Sequence, residues 1–330
     1  MRQKRISAFT TGSALSCLMI VTALNVVITL ATCRSAYAQQ NQPGNFDPGQ
    51  GQSAPATRAS AGGVQAHSAR DDKAGWSPTD FARADPKLPT LVIAGDSTAS
   101  TGNPTHRGWA APLIDYFDTT KVNVINRAIG GRSFRTFYGE GAWQKVVDGI
   151  KPGDYVVIEF GHNDSGNVGA AGGRADLPGV GEETKTVTRA NNTTETVHTY
   201  GWYLRKFIQD VKAKHATPIV SSTTVRNVWT NGKVERGMGH MLAWARQVAA
   251  DEKVAFIDHS NITADLYEKM GRENVARFFP ADHTHTSTDG SVVNAETFIA
   301  GLKALPDMPL VDFLNEKGKK IEAHAPPAAQ

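Results

Sequence analysis

The stretch Leu91-Val92-Ile93-Ala94-Gly95-Asp96-Ser97 decides the fold. Its first four residues form an apolar run that is too short for a helix. Polar residues do not alternate with the apolar ones, which is typical of a strand buried on both faces of a parallel sheet. The run ends in Gly-Asp-Ser, so a hydroxyl follows at the carboxyl end of the strand, where open α/β sheets bind their ligands.

Four more apolar runs of this kind follow the first strand, Thr90–Ala94, and they are Val122–Asn126, Tyr155–Phe160, Pro218–Ser222 and Val254–Asp258. Helical patterns lie between and after these runs, over Trp109–Phe117, Trp143–Ile150, Tyr200–Lys214, Met238–Ala250 and Asp289–Leu305. The alternation predicts an α/β fold with a doubly wound parallel sheet. The segment Asp164–Val197 shows no periodicity and follows the carboxyl end of a strand. We interpret it as a substrate-shaping loop, and a tolerated surface insertion is the alternative.

Both ends of the chain are predicted to lie outside the catalytic domain. A basic start, an apolar stretch over residues 8–31 and the motif Ala36-Tyr37-Ala38 predict a signal peptide, residues 1–38, cleaved after Ala38. The expected location is secreted or periplasmic; an uncleaved membrane anchor and a lipoprotein modified at Cys33 are the alternatives. Residues 39–84 and 319–330 are predicted to be a disordered linker and a disordered tail. Residues 85–318 then form one catalytic domain.

The composition excludes several classes of function. Both cysteines, Cys17 and Cys33, lie in the predicted signal peptide, so the mature chain has no cysteine nucleophile and no cysteine-bound zinc. Residues 1–38 carry four basic residues and no acidic one, so their removal changes the formal charge from +3 to −1. A chain near neutrality lacks the positive charge on which nucleic-acid binding depends. We expect a neutral or modestly charged polymer as its partner.

Five residues in four segments supply the parts of a serine esterase site. Ser97 offers a nucleophilic hydroxyl at the end of the first strand. Gly131 follows the second strand, and a glycine there lets a backbone N–H approach a substrate oxygen closely. Asn163 ends the third strand, and its amide can donate to an oxyanion. Asp282 lies three residues before His285, so its carboxylate can accept the Nδ1–H bond and leave Nε2 to take the serine proton.

These residues also have other interpretations. Taken singly, the segments after the first three strands are ordinary turns and helix caps. Asp282, His283 and His285 are all metal-ligand types, which leaves a metal site open. Asp258 and His259 form a rival acid–base pair, although adjacent side chains on a strand diverge.

The combination of segments resembles blocks I, II, III and V of the SGNH (GDSL-type) hydrolases, and within them it resembles the rhamnogalacturonan acetylesterases most closely. The resemblance covers about residues 89–305. The similar strings are Ala94-Gly95-Asp96-Ser97-Thr98, Gly130-Gly131-Arg132-Ser133, Glu159-Phe160-Gly161-His162-Asn163-Asp164, Thr199-Tyr200-Gly201-Trp202-Tyr203-Leu204 and Phe279-Pro280-Ala281-Asp282-His283-Thr284-His285-Thr286.

The resemblance implies a flavodoxin-like three-layer α/β/α sandwich with a five-stranded parallel sheet, and removal of acetyl groups from polysaccharide. Ser97 resembles the nucleophile, His285 the general base and Asp282 its orienting acid. The N–H groups of Ser97 and Gly131 and the side chain of Asn163 resemble the oxyanion hole. The family implies no cofactor and no metal.

The expected partner is an acetylated polysaccharide or oligosaccharide, bound by a monomer, with no nucleic acid and no stable membrane insertion after signal cleavage. Two other functions stay open. The first is an SGNH esterase or lipase that acts on another ester, in acetylated xylan, acetylated sialic acid or lipid. The second is a catalytically silent carbohydrate-binding protein, which would bind without turnover.

Overall fold

A five-stranded parallel sheet forms the centre of the fold. The computed structural model describes residues 82–170 and 172–326, all within the unit Ala66–Gln330. In chain order, the strands are β1 (Thr90–Gly95), β2 (Asn123–Asn126), β3 (Tyr155–Glu159), β4 (Thr184–Thr188), β5 (Thr194–His198), β6 (Thr217–Ser221), β7 (Trp229–Thr230), β8 (Lys233–Val234) and β9 (Ala255–Ile257). The central sheet has the order β2-β1-β3-β6-β9, with all neighbours parallel. Each predicted run contributes one of its strands, which confirms the fold class.

Helices follow or precede most of these strands. They are α1 (Phe134–Gly139), α2 (Ala142–Gly149), α3 (Tyr200–Ala213), α4 (Met241–Asp251), α5 (His259–Met270), α6 (Arg272–Ala276), α7 (Thr288–Lys303) and α8 (Glu316–Lys319), with 3-10 helices at Leu113–Tyr116 and Pro309–Phe313. The helix predicted over Trp109–Phe117 was wrong, because only the short 3-10 turn forms there. Pro112 disfavours the helical conformation of the residue before it and lacks an N–H to donate.

Successive residues of β1 face opposite layers of the fold. Val92 packs with Phe134 and Phe207 in the core beneath α1 to α4. Ile93 packs with Trp109 and Phe298 in the core beneath α7. All of these side chains are buried, and each contributes about 1.5–3 kcal/mol of hydrophobic stabilisation. The sheet is therefore covered on both faces, as its unbroken apolar strands predicted.

The strand order places a topological switch point between β1 and β3. The chain leaves β1, forms β2 on one side of it, and then returns to form β3 on the other side. Connections that diverge in this way open a crevice at the carboxyl ends of the two strands. The residues after β1 and after β3, which include Ser97 and Asn163, therefore lie at the edge of this crevice.

The absence of periodicity predicted an irregular segment over Asp164–Val197, but part of this segment forms two strands. β4 and β5 pair as an antiparallel hairpin in which Thr184 faces His198. The turn contains Asn192 with a φ of 62°, a left-handed conformation that asparagine tolerates. Threonine occupies alternate positions in both strands, and this period-two pattern was the signal for the hairpin.

Helix α5 was also missing from the sequence prediction. Its buried face includes polar and small residues such as His259, Ser260, Thr263 and Ala264 beside Ile262. A buried face of this composition gives no apolar period, so the hydrophobic pattern alone does not reveal the helix.

The domain extends past both predicted boundaries. Arg83, from the predicted linker, forms an ion pair with Asp154 at 2.6 Å. The backbone N–H of His324, from the predicted tail, donates to Ala300 O at 3.0 Å. The predicted signal peptide and linker residues up to 81, and tail residues 327–330, lie outside the described residues. Within residues 82–170 and 172–326, no helix has the length and apolarity to span a membrane.

Candidate active site

Ser97 lies in a tight turn that begins where β1 ends. The turn starts at Gly95, where an added Cβ would lie 2.9 Å from Glu159 O and 3.1 Å from Ala99 Cβ. Such contacts require glycine at this position. Asp96 is fully buried, and its carboxylate accepts from the N–H and the hydroxyl of Thr98, each at 2.8 Å. The Asp96 bonds hold the turn in place and leave the half-buried Ser97 facing the crevice.

Three residues from distant parts of the chain form a continuous hydrogen-bonded row. Ser97 Oγ lies 2.8 Å from His285 Nε2, and His285 Nδ1 lies 2.7 Å from Asp282 Oδ2. The Asp282 carboxylate can only accept when ionised, so Nδ1 carries the hydrogen and Nε2 is the acceptor for the serine hydroxyl. The predicted nucleophile, base and orienting acid are thus brought together in the expected order.

The second oxygen of Asp282 fixes the backbone of the same loop. Oδ1 accepts from the N–H groups of Thr284 and His285, each at 2.7 Å. Burial alone would raise the pKa of Asp282, but the hydrogen bonds from His285 and Thr284 lower it to about 2. The group is therefore a carboxylate at neutral pH, although 37% of its side chain is exposed.

Three donors that the sequence suggested for an oxyanion hole lie in the loops after β1, β2 and β3. Within the described residues, the N–H groups of Ser97 and Gly131 donate to no acceptor. Gly131 has a φ of 75°, which favours glycine. Asn163 Nδ2 donates to Arg132 O at 3.0 Å, and its second hydrogen is left to donate elsewhere. The same bond joins the loop after β3 to the loop after β2.

His106 is a site neighbour that the sequence did not suggest. Its Nε2 lies 3.7 Å from Asp282 Oδ2, and its ring centroid lies 4.9 Å from that of His285. Arg107 N donates to Thr286 O at 2.8 Å, and Thr286 Oγ1 donates back to Arg107 O at 2.7 Å. These bonds bring two loops into contact that lie 179 residues apart in the sequence. No motif in the sequence predicts this contact.

The potential metal ligands differ from those that the sequence suggested. His106, Asp282 and His285 can each offer one ligand atom, and these atoms lie within 4.8 Å of one another. His283 is exposed and is not part of this group.

The rival acid–base pair Asp258–His259 is not formed. Asp258 caps α5 by accepting from Asn261 N at 3.2 Å and also binds Arg246. His259 is instead fully buried, with Nδ1 3.4 Å from Glu159 Oε2. As expected for adjacent residues, the two side chains point in different directions.

A buried pair of acidic residues lies directly behind Asn163. The carboxyl groups of Asp164 and Asp176 are buried next to each other, and among the described residues the Oδ2 atom of each has no hydrogen-bond partner unless the two groups share a proton. Burial raises the pKa of Asp164 to about 7, and burial together with Asp164 raises that of Asp176 as well. Their other oxygens accept from Phe134 N at 2.8 Å and Arg135 N at 3.1 Å. The pair therefore joins the end of β3, the insertion and the start of α1.

Comparison with known proteins decides the family. The model of the GDSL-like lipase/acylhydrolase family matches residues 93–292, which include all five predicted site residues. The chain belongs to this family. It is therefore a carboxylic ester hydrolase with the SGNH fold.

Curated relatives and a solved structure agree with this assignment. A rhamnogalacturonan acetylesterase of Emericella nidulans is 39% identical over 211 residues, which are 64% of this chain and 83% of the relative. A probable rhamnogalacturonan acetylesterase of Bacillus subtilis, YesY, is 29% identical over 68% of this chain and 96% of its own length. The X-ray structure of Bacillus subtilis YxiM has a TM-score of 0.53 and 23% identity, over 66% of this chain and 56% of that one, and shows a shared fold.

Proposed function

We propose that this protein is a secreted serine carbohydrate esterase that removes O-acetyl groups from plant cell-wall polysaccharide, with acetylated rhamnogalacturonan as its substrate. The row Ser97–His285–Asp282, with contacts of 2.8 and 2.7 Å, carries the proposed chemistry. The relatives named rhamnogalacturonan acetylesterases support the choice of substrate. The signal-peptide pattern that ends at Ala38 supports secretion.

The proposed reaction is a two-step acyl transfer. Ser97 Oγ attacks the acetyl carbonyl carbon while His285 Nε2 takes its proton. The oxyanion accepts hydrogen bonds from the N–H groups of Ser97 and Gly131 and from the Asn163 side chain. The sugar oxygen leaves with the proton from His285, and acetyl-Ser97 remains. Water then attacks this ester by the same route, which releases acetate and restores the serine.

Asp282 acts in this scheme through His285. Its carboxylate holds the imidazole in the tautomer that leaves Nε2 free, and it stabilises the imidazolium formed when Nε2 is protonated. Because the lowered pKa of Asp282 keeps it ionised down to about pH 2, this support persists across the pH range in which an esterase works.

Acetate release tests the proposal. The mature chain and its Ser97→Ala variant would be assayed side by side on acetylated rhamnogalacturonan, acetylated xylan and 4-nitrophenyl acetate. We expect release that is lost in the variant and is fastest from rhamnogalacturonan. Release from the small ester alone would retain the mechanism and refute the substrate. Binding of the polymers without release from any ester would favour the carbohydrate-binding alternative.

The proposed export has its own measurement. Protein recovered from outside the cytoplasm of an expressing bacterium should begin at Gln39 when its N-terminus is sequenced. An intact N-terminus at Met1 on a membrane-bound product would contradict cleavage and favour the anchor.

A further inference from the structure

A cavity of about 460 Å³ opens beside residues 127–133, the loop after β2. We call this loop the oxyanion loop, because it carries Gly131. The loop after β2 and the start of α1 form one wall, and the insertion between β3 and α3 forms the other. The charged lining consists of four arginines and one glutamate: Arg132, Arg135, Arg174, Arg189 and Glu140. The cavity also reaches Gly131, which places it next to the position where an ester carbonyl would be held.

Positive charge exceeds negative charge in this cavity. Arg135 and Arg189 both bind Glu195, each at 2.6 Å. Burial alone would raise the pKa of Glu195, but hydrogen bonds from these two arginines lower it, so Glu195 is ionised. Arg132 forms an ion pair with Glu140 at 2.9 Å. Among the described residues, four guanidinium groups and one carboxylate therefore line this cavity, and Glu195 adds a second carboxylate behind two of them.

Of the four arginines that line the cavity, Arg174 has no acidic partner among residues 82–170 and 172–326. Its side chain is exposed, and its Nη1 donates to Gly131 O at 3.0 Å. Its backbone carbonyl accepts from Ser133 Oγ at 2.5 Å. Two bonds thus attach Arg174 to the oxyanion loop from either end of the residue.

The position of this guanidinium fits one chemical class of ligand. Nη1 is held by a single carbonyl, so the remaining donors of the planar group are left to bind an anion with two parallel hydrogen bonds. A carboxylate matches this spacing. Because Gly131 N–H and Arg174 flank the same residue, an anion bound here lies within one sugar ring of the ester carbonyl.

We propose that this cavity binds the carboxylate of an acidic sugar residue that carries, or directly adjoins, the acetylated hydroxyl, and that Arg174 is the specificity-determining residue. The inference rests on the proposed esterase function and adds the residue that recognises the charge of its substrate. A neutral glycan would leave the surplus positive charge without a partner, and the enzyme would then bind it more weakly.

The test compares two polymers that differ only in charge. One is acetylated rhamnogalacturonan, and the other is the same polymer with its carboxyl groups reduced to alcohols and its acetyl content matched. The measured quantity is the ratio of kcat/KM on the acidic polymer to kcat/KM on the reduced polymer. We expect the ratio for wild type to be well above one and to fall by at least about 10-fold in Arg174→Gln, because this variant loses a charge-assisted hydrogen bond to the carboxylate.

Matched variants separate charge recognition from general damage. Arg272→Gln removes an exposed arginine that does not line the cavity, and it should leave the ratio unchanged. Arg174→Lys keeps the charge but loses the planar fork, so its ratio should lie between those of wild type and Arg174→Gln. High salt should lower the wild-type ratio, because it screens exposed charges.

Two outcomes refute the inference in distinguishable ways. Equal kcat/KM on the two polymers in wild type, or an equal loss on both in Arg174→Gln, would overturn it while the esterase function stands. Absence of acetate release from either polymer and from 4-nitrophenyl acetate would refute the proposed function, and the inference would fall with it.

Discussion

Two of the carboxylate–histidine pairs in this domain differ in almost every property except their chemistry. Asp282 and His285 lie at the open edge of the sheet, and their contact is 2.7 Å. Glu159 and His259 lie beneath that edge with no exposed surface, at 3.4 Å. His285 contacts a serine hydroxyl, whereas His259 Nε2 lies 2.9 Å from the carbonyl of Asn294 in α7.

The surroundings give the two carboxyl groups opposite behaviour. Hydrogen bonds lower the pKa of Asp282 to about 2. Burial raises the pKa of Glu159, and His259 only partly opposes that shift. The comparison teaches that the residue types do not define an acid–base pair. A pair at the edge can pass a proton to a substrate, while a pair beneath the edge can only join elements of the fold.

The largest expected effect is on the edge pair. Asp282→Asn removes the carboxylate that sets the imidazole tautomer, so kcat for 4-nitrophenyl acetate should fall by about 10⁴-fold with the fold intact. Steady-state kinetics with a thermal melt check this. Asp258→Asn is the matched control, because Asp258 caps α5 and binds the side chains of Arg246 and Asn261. A similar loss of kcat in the Asp258 variant would show that the acid is assigned to the wrong residue.

The next effect is on the buried pair and appears as stability. His259→Leu leaves Glu159 buried without its imidazole and removes one of the donors to the carbonyl of Asn294, which still accepts from Thr297 Oγ1. Breaking a buried pair in this way destabilises a protein by about 3–5 kcal/mol. Urea unfolding should show this loss, while kcat of the folded fraction changes little compared with Asp282→Asn. A large loss of kcat with unchanged stability would erase the distinction between the two pairs.

Asn163 gives a smaller effect on the edge side of the comparison. Removing one oxyanion donor costs about 10²–10³-fold in kcat, and we expect this loss for Asn163→Ala with KM little changed. Asn163→Asp keeps the shape of the side chain but replaces the donor by an acceptor, so its kcat should be no higher than that of Asn163→Ala. An unchanged kcat in either variant would remove Asn163 from the proposed oxyanion hole.

The sequence predicted the edge better than the region beneath it. Unbroken apolar strands such as β1 and β3 can be recognised in the sequence. The carboxyl ends of parallel strands must meet at one edge of the sheet, which brings Ser97 and Asn163 together. Charged groups held by tertiary contacts have no such local signal. His106 reaches Asp282 only because its loop bonds to Thr286, and Glu159 meets His259 only because a helix with a polar buried face covers it.

The smallest expected effect concerns the Asp164–Asp176 pair, and it is a change in how the stability of the fold depends on pH. The pKa of Asp164 is raised from 3.8 to about 7 by burial, so the folded chain keeps a proton that the unfolded chain loses. The stability that this proton brings is fully present below pH 3.8 and is lost as pH rises through about 7.

The lowered pKa of Asp282 acts in the opposite sense, because its contribution to stability is present above pH 3.8 and is lost as pH falls through about 2. Solvent screening reduces that contribution, since Asp282 is partly exposed.

Asp164→Asn isolates the buried pair. Asparagine can still accept from Phe134 N and can donate to Asp176 without a shared proton, so the fall in Tm between pH 5 and pH 9 should be smaller than in wild type. The control Asp307→Asn removes an exposed carboxylate at a φ of 50°, a conformation that asparagine tolerates, and should keep the wild-type fall. If the Asp164 variant lost Tm over this range as steeply as the control, the proton would not lie between Asp164 and Asp176. A smaller fall in Tm for the Asp164 variant would instead show that the Asp164–Asp176 pair makes the attachment of the insertion sensitive to pH. This pair begins one residue after Asn163, the proposed oxyanion donor.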